Sequence, residues 1–202
     1  MYTPPPFKVG DSDAWTMLAH ARLGVLVTHG PDGLQATHLP FVLEGDRLIG
    51  HLARANPHAN APVEGEALVI FQGPDAYISP GWYPSKAADG RAVPTWNYEA
   101  LHVRGRLTWF SDLERLRDVV DRVSDRFEAD QPVPWRTADA DPDYIDLLLS
   151  HVVGLELEVT ALTAKRKLSQ NQRAPNFEGV LAGLDASGLS DQALASAMRA
   201  AR

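Results

Sequence analysis

Cysteine is absent from the 202 residues. That single absence removes disulfides, thiolate nucleophiles and thiolate-held metals together, and it fits a reducing compartment such as the cytoplasm. No apolar run approaches the roughly 20 residues that cross a bilayer. The opening Met1-Tyr2-Thr3-Pro4-Pro5-Pro6 lacks the basic start and apolar stretch of a secretory signal. Positive charge is in deficit: 19 Lys and Arg stand against 26 Asp and Glu, for a net charge of −7. Binding to a nucleic-acid backbone draws on a basic face, so the balance opposes it. Several catalytic signatures are missing as well. There is no Walker A loop, no G-x-G-x-x-G after a strand, no H-E-x-x-H and no G-x-S-x-G. Seven histidines (His20, His29, His38, His51, His58, His102 and His151) are scattered without metal-site spacing, so no metal is expected, and hydrogen-bonded core or surface positions are expected for them.

What is present reads as short strands and turns. Residues 11–20 carry a helical pattern that Asp11 or Ser12 can cap, with Trp15, Leu18 and Ala19 as its apolar stripe. Residues 23–28, 34–43 and 47–53 read as strands. They are separated by His29-Gly30-Pro31-Asp32-Gly33 and Glu44-Gly45-Asp46, turn chemistry in both cases. Residues 67–72 and 76–79 continue the sheet, and 80–94 is rich in Pro and Gly and irregular. Residues 95–110 form a long strand, with Gly105 as a bulge or bend. Ser111-Asp112-Leu113-Glu114 has the form of a capping box opening a helix to about 129. Asp141-Pro142 opens a second helix to about 151. Residues 154–162 give a last strand, and Ser190 caps a small, frayed C-terminal helix. Antiparallel strands without βαβ alternation exclude a doubly wound fold, and closing the sheet into a barrel hides its edges.

Four segments carry chemistry beyond filler. His51-Leu52-Ala53-Arg54-Ala55-Asn56-Pro57 ends a strand in small residues with one Arg and one Asn, a combination that suits a phosphate. Phe71-Gln72-Gly73-Pro74 through Tyr77-Ile78-Ser79-Pro80-Gly81-Trp82-Tyr83 mixes aromatics with an amide and hydroxyls, as sites for flat heterocycles do. Val93-Pro94-Thr95-Trp96-Asn97-Tyr98 repeats that mixture. Lys167-Leu168-Ser169-Gln170-Asn171 is basic and amide-rich. For each segment, core packing, turn chemistry or a solvated tail is the plainer alternative. Together they suggest a ligand with a phosphate and a planar ring.

These same blocks, with Ala36-Thr37-His38-Leu39-Pro40 and Val69-Ile70, resemble the PaiB-like family of FMN-binding split-barrel proteins, often described as negative transcriptional regulators. The resemblance covers nearly the whole chain. It implies a mainly β, α+β fold: an antiparallel split β-barrel like that of pyridoxamine-phosphate oxidase, over 1–180, with a helical tail over 181–202. It implies FMN as cofactor, held at the interface of a homodimer in the cytoplasm. Carried over residue by residue, it places Arg54 at the flavin phosphate, with His51, Ala53, Ala55 and Asn56 beside it. Gln72, Trp96 and Asn97 fall to the ring or the partner subunit, and Lys167, Ser169 and Gln170 to the same ligand.

The residues leave the activity open. An FMN-dependent oxidoreductase would let the flavin carry the electron chemistry; His51, Tyr98 and His102 are the candidate proton donors or acceptors, and none marks itself as catalytic. A regulator would act through a partner rather than on DNA directly. Residues 111–143 hold ten acids and five Arg, a net of −5, and no helix-turn-helix is evident. A haem-binding split barrel is the third reading, and it needs one of the seven histidines as axial ligand.

Overall fold

The structure is a computed structural model. It describes residues 1–201, without the side chains of Ala88, Asp89, Leu189 and Ser190. Helix α1 (Asp11–His20) precedes strands β1 (Leu23–Gly30), β2 (Gly33–Pro40), β3 (Val42–Glu44), β4 (Arg47–Ala53) and β5 (Ala67–Ile78). A short helix α2 (Lys86–Asp89) leads to β6 (Thr95–Phe110), α3 (Leu113–Glu128), α4 (Pro142–Ser150) and β7 (Val152–Lys167). Helices α5 (Ala174–Asp185) and α6 (Leu189–Ala200) follow.

The chain resolves into two compact units. Unit 1 comprises residues 1–14, 72–101 and 163–202, and unit 2 comprises 15–71 and 102–162. The seven strands follow the order β2-β1-β5-β6-β7-β4-β3. The β1–β2 ladder runs from Leu23↔Pro40 to Gly30↔Gly33, and β4 pairs antiparallel with β7 from Arg47↔Glu158 to Ala53↔Val152. β2 and β3 are the two edges of this sheet, yet only Phe41 separates them in the chain. Two trans peptide steps of about 3.8 Å each cannot bridge the roughly 29 Å that six strand spacings would open in a flat sheet. The sheet therefore curls until its edges meet. Gly50 of β4 marks the meeting: a Cβ there would lie 2.9 Å from the Pro40 carbonyl oxygen. Inside sit Leu26, Leu39, Phe41, Leu48, Val69, Val103, Val153, Leu155 and Leu157, all buried. Phe41 and Phe71 meet edge to face at 5.7 Å.

Helix α3 covers the other side of β4. Val119 and Val123 pack with Ile49, and Leu116 packs with Ile145 and Leu149 of α4. The cap of α3 lies one residue later than the S-x-x-E pattern suggests. Asp112, not Ser111, accepts the Arg115 N–H at 2.9 Å. A carboxylate also complements the helix dipole, which favours Asp over Ser here. In α1 the buried residues are Ala14 and Leu18; Trp15 and Ala19 are exposed, which moves the expected stripe round the helix.

Unit 1 contains the second core. Phe177, Val180, Leu181 and Leu184 of α5 and Leu194, Ala195 and Met198 of α6 pack with Ala76, Ile78, Tyr83 and Leu168. The expected frayed helix is thus a buried pair. The Ser190 side chain lies outside the described residues; the N-cap of α6 is Gly188. β5 runs unbroken through Gly73-Pro74, where two separate strands were expected. Its ladder with β1 covers only Leu68 to Ile70, so the missing N–H of Pro74 breaks no bond of that ladder.

Candidate functional site

The eleven residues singled out in the sequence divide between the units. His51, Ala53, Arg54, Ala55 and Asn56 belong to unit 2. Gln72, Trp96, Asn97, Lys167, Ser169 and Gln170 belong to unit 1.

In unit 2, β4 ends at Ala53 and Arg54 begins the connection to β5. The guanidinium of Arg54 is engaged. Nε donates to the Ser150 carbonyl at 2.9 Å, Nη2 to the Val152 carbonyl at 2.9 Å and Nη1 to Ser111 Oγ at 3.4 Å. Its backbone N–H donates to the His151 carbonyl at 2.8 Å. Arg54 therefore closes the C-terminal end of α4, where a cation meets the negative end of the helix dipole. Of five guanidinium N–H groups, two remain for a ligand. Replacing Arg54 with alanine is expected to cost about 1–2 kcal/mol, the scale of charged hydrogen bonds discounted for exposure. A urea titration that finds the variant as stable as the parent would contradict this capping role.

Asn56 organises the loop that follows. Its Oδ1 accepts the His58 N–H at 2.9 Å, and its Nδ2 reaches Thr37 Oγ1 at 3.4 Å. His58 is 2% exposed. Its Nε2 lies 2.7 Å from Thr28 Oγ1 and its Nδ1 2.9 Å from Thr37 Oγ1, with the Trp109 ring edge-on at 5.8 Å. This is the hydrogen-bonded core histidine that the sequence led us to expect. His51 stands opposite Gly154 in the β4–β7 register, and its Nδ1 is buried with no hydrogen-bond partner.

Burial lowers the pKa of His51, His58 and His102 below the ordinary value of 6.5. The unfolded chain therefore takes up protons before the folded one does. The stability from keeping these rings neutral is complete above about pH 6.5 and falls as acidification proceeds toward the depressed folded values. A lower urea midpoint at pH 5.5 than at pH 7.5 is the expected result; equal midpoints would contradict it.

Unit 1 assembles the rest. The run Lys165-Arg166-Lys167 forms the last residues of β7, and each side chain has its own partner. Lys165 is 8% exposed; its Nζ donates to the Tyr2 carbonyl at 3.2 Å and sits 5.0 Å above the Tyr98 ring. Arg166 Nε donates to Glu99 Oε1 at 2.7 Å. Lys167 Nζ donates to the Trp96 carbonyl at 2.7 Å and to Thr95 Oγ1. Burial lowers the pKa of Lys167.

Beyond β7 the chain turns at Ser169, whose φ of 59° is a left-handed conformation unusual for a residue with a Cβ. Two contacts hold it. Asn97 Nδ2 donates to Ser169 Oγ at 2.8 Å, both residues being buried. Gln170 clamps the turn through Leu168 N–H to its Oε1 at 2.7 Å and its own Nε2 to the Arg166 carbonyl at 2.6 Å. Strain of this kind collects at functional sites.

Asn97, Lys167 and Ser169 line one cavity of about 270 Å³ with Phe7, Tyr83, Ser85, Arg91, Ala92, Val93, Thr95, Asn171, Gln172 and Asn176. Trp96 and Gln72 do not line it. Trp96 is 52% exposed and meets Tyr77 edge to face at 6.3 Å, and Gln72 Nε2 donates to Asp75 Oδ2 at 2.8 Å. Arg91, Gln172 and Asn176 went unnoticed in the sequence, because the first two lie in irregular segments and the third in the first turn of an unexpected helix. The donor set suits an anionic, hydroxyl-bearing ligand: two cations, hydroxyls and amides, and no acid among the described residues lining the cavity. A flavin phosphate and its polyol chain fit that description.

Comparisons with known proteins identify the family. A family model described as "Putative FMN-binding domain" matches residues 1–161. The protease synthase and sporulation protein PAI 2 of Bacillus subtilis is 33% identical over 189 residues, which cover 90% of this chain and 87% of that protein. An uncharacterised protein of Aspergillus fumigatus is 31% identical over 199 residues, covering 75% of this chain and 76% of its own. Among solved structures, the FAD and haem binding protein of Mycobacterium smegmatis matches with a TM-score of 0.59 at 18% identity, over 88% of this chain and 80% of that one. A conserved hypothetical protein of Mycobacterium tuberculosis matches with a TM-score of 0.59 at 13% identity, over 86% and 94%. These structural likenesses establish the fold, the expected antiparallel split barrel with added helices. The chain belongs to the family described as a putative FMN-binding domain, and FMN is the cofactor that this membership assigns to it.

Proposed function

We propose that the protein works as a homodimer in the cytoplasm, holding FMN at the interface between two copies and using it for redox chemistry or as a sensed ligand. The observation that carries this reading is the convergence of Asn97, Lys167 and Ser169 on one cavity, with no acid among the described residues lining it, in a chain of an FMN-binding family. Exposed Tyr77 and Trp96, with Val93 at 75% exposure, give unit 1 an aromatic surface suited to a flat ring and a second copy. In unit 2, the remaining N–H groups of Arg54 and the small residues Ala53 and Ala55, exposed at the end of β4, offer anion donors of their own. His51 and Asn56 shape that strand end, and Gln72 and Gln170 contribute amides. Bound FMN supplies one- and two-electron redox chemistry at its ring. The chain binds it, orients it and shields it from water.

The cofactor that co-purifies tests this. Flavin absorbance bands and the mass of FMN are expected; an intense Soret band with no flavin would favour haem instead. If the site is shared, dilution to a monomer releases the flavin, and retention by a verified monomer would contradict the shared site.

Relationship to PAI 2, named for protease synthesis and sporulation, favours a second reading in which flavin occupancy is a regulatory signal. The net −5 of residues 111–143 points to a protein partner rather than DNA. A salt-sensitive mobility shift with promoter DNA would overturn that part.

A further inference from the structure

Helix α4 buries one face and leaves another bare. Ile145 and Leu149 pack with Leu116 of α3, while Tyr144, Leu147 and Leu148 stand 55%, 56% and 45% exposed. At 3.6 residues per turn, positions 144, 147 and 148 are i, i+3 and i+4, neighbours on one side of the helix. A single exposed leucine is ordinary. Large apolar side chains grouped on one exposed face and rimmed by polar residues mark a contact surface.

The rim here is acidic. Residues 111–151 hold eleven acids and five Arg, a net of −6 out of −7 for the whole chain. Asp139, Asp141, Asp143 and Asp146 are all exposed. Asp146 is paired with Arg117. Asp139 and Asp141 accept the backbone N–H groups of Arg136 and Tyr144, which leaves their charge in place, and Asp143 stands in the first turn of α4. At the other end of the helix the Arg54 guanidinium is bonded to the Ser150 carbonyl. The acidic end of the face is thus its N-terminal end. None of these residues lines the unit 1 cavity, so the flavin site does not account for them.

That charge decides what covers the face. Nucleic acid and anionic lipid present phosphates, which the acids repel. A second copy would set the same four Asp against one another. A protein segment with Lys or Arg beside an apolar stripe meets both features at once: its apolar side chains cover the bare face, and its cations meet the rim.

We infer that the exposed face of α4 is the docking surface for a basic amphipathic helix of another protein, with apolar side chains on Tyr144, Leu147 and Leu148 and cations toward Asp141 and Asp143. The inference rests on the partner-mediated regulatory reading above and gives that partner a surface and a chemistry.

Fluorescence anisotropy of labelled helical peptides of about 18 residues, five turns, on the full-length protein tests it, with and without FMN. The first peptide contains only Leu and Lys, with Leu at i, i+3, i+4 and i+7. The second keeps every Lys and replaces Leu with Ser; the third keeps every Leu and replaces Lys with Glu. Leu147→Glu separates the two attractions, because it removes an apolar contact and adds an acid, so charge alone predicts tighter binding. The first peptide is expected to bind, the other two at least ten-fold more weakly, and Leu147→Glu is expected to weaken the first at least ten-fold. Leu148→Glu, on the same exposed face, gives the same loss and guards against a Leu147 variant that does not fold. Equal binding of the Ser-Lys peptide, unchanged or tighter binding to the Glu variants, or no binding of the first peptide overturns the inference. Loss of the parental oligomer in both folded Glu variants, read by sedimentation, assigns the face to a second copy and overturns it too. Leu147-dependent binding of equal strength with and without FMN keeps the docking surface and sinks flavin occupancy as the regulatory signal; binding that changes with FMN supports both.

Discussion

Gly105→Ala is expected to destabilise the protein by at least about 3 kcal/mol, at the upper end of what overpacking costs. A Cβ at this position of β6 would sit 2.2 Å from the Glu158 carbonyl oxygen and 2.5 Å from Leu157 Cδ2. β6 lies between β5 and β7 in the sheet, so it cannot move away from β7 without disturbing its other neighbour. The clash is with backbone, which no rotamer change relieves. Gly10→Ala is the control. A Cβ there meets nothing within 4 Å, and a change within about 0.5 kcal/mol is expected. Equal urea midpoints for the two variants would show that β6 and β7 are less closely apposed than described.

Removing residues 173–202 is expected to be more damaging still. The deletion takes away α5 and α6 and uncovers Ile78, Tyr83 and Leu168, which those helices bury. At roughly 1.5–3 kcal/mol per large apolar side chain, the loss is about 5–9 kcal/mol, comparable to the whole stability of an ordinary domain. The cavity would also lose Asn176. The truncated chain should be insoluble or should bind a dye for exposed apolar surface. A soluble truncation with parental circular dichroism and parental flavin content would refute this view of the C-terminal helices. Leu184→Ala probes the same core more gently, at about 2–5 kcal/mol.

Much of the barrel was legible in the sequence because its strands alternate and its turns are chemically explicit. The bounds of β4 and β6 follow directly from such patterns, as does the Asp141 cap of α4, which accepts the Tyr144 N–H at 3.1 Å. β7 runs five residues beyond expectation. Its apolar alternation fades at Lys165-Arg166-Lys167, but there the charged side chains find partners inside unit 1 and an isolated bridge joins Lys165 to Lys8. Local hydrophobicity carries no trace of such partners.

The start of α5 was missed for a related reason. Gly179 and Gly183 lower its intrinsic helix propensity, yet the fold uses both. A Cβ at Gly179 would lie 2.1 Å from the Trp82 carbonyl oxygen, and one at Gly183 would lie 2.3 Å from the Trp82 ring. Spaced four apart, the two glycines form the groove in which Trp82 seats. Gly105, in β6, serves a close approach of the same kind, to the Glu158 carbonyl oxygen. A glycine's role depends on what lies opposite, which only the folded chain supplies.

The site shows the same division. Asn97, Lys167 and Ser169 stood out by residue type, and one cavity collects them. Arg54 stood out too, but its first occupation is the end of α4, because a guanidinium beside free helix carbonyls bonds to them. That Arg91 and Asn176 line the same cavity could not be read from an irregular loop and an unrecognised helix.

A crystal structure of the protein grown with FMN tests the central claim most directly. We predict flavin density whose phosphate lies in the unit 1 cavity within hydrogen-bond distance of Lys167 Nζ. Flavin bound with its phosphate elsewhere and the cavity empty, or no flavin at saturating concentration, would contradict it.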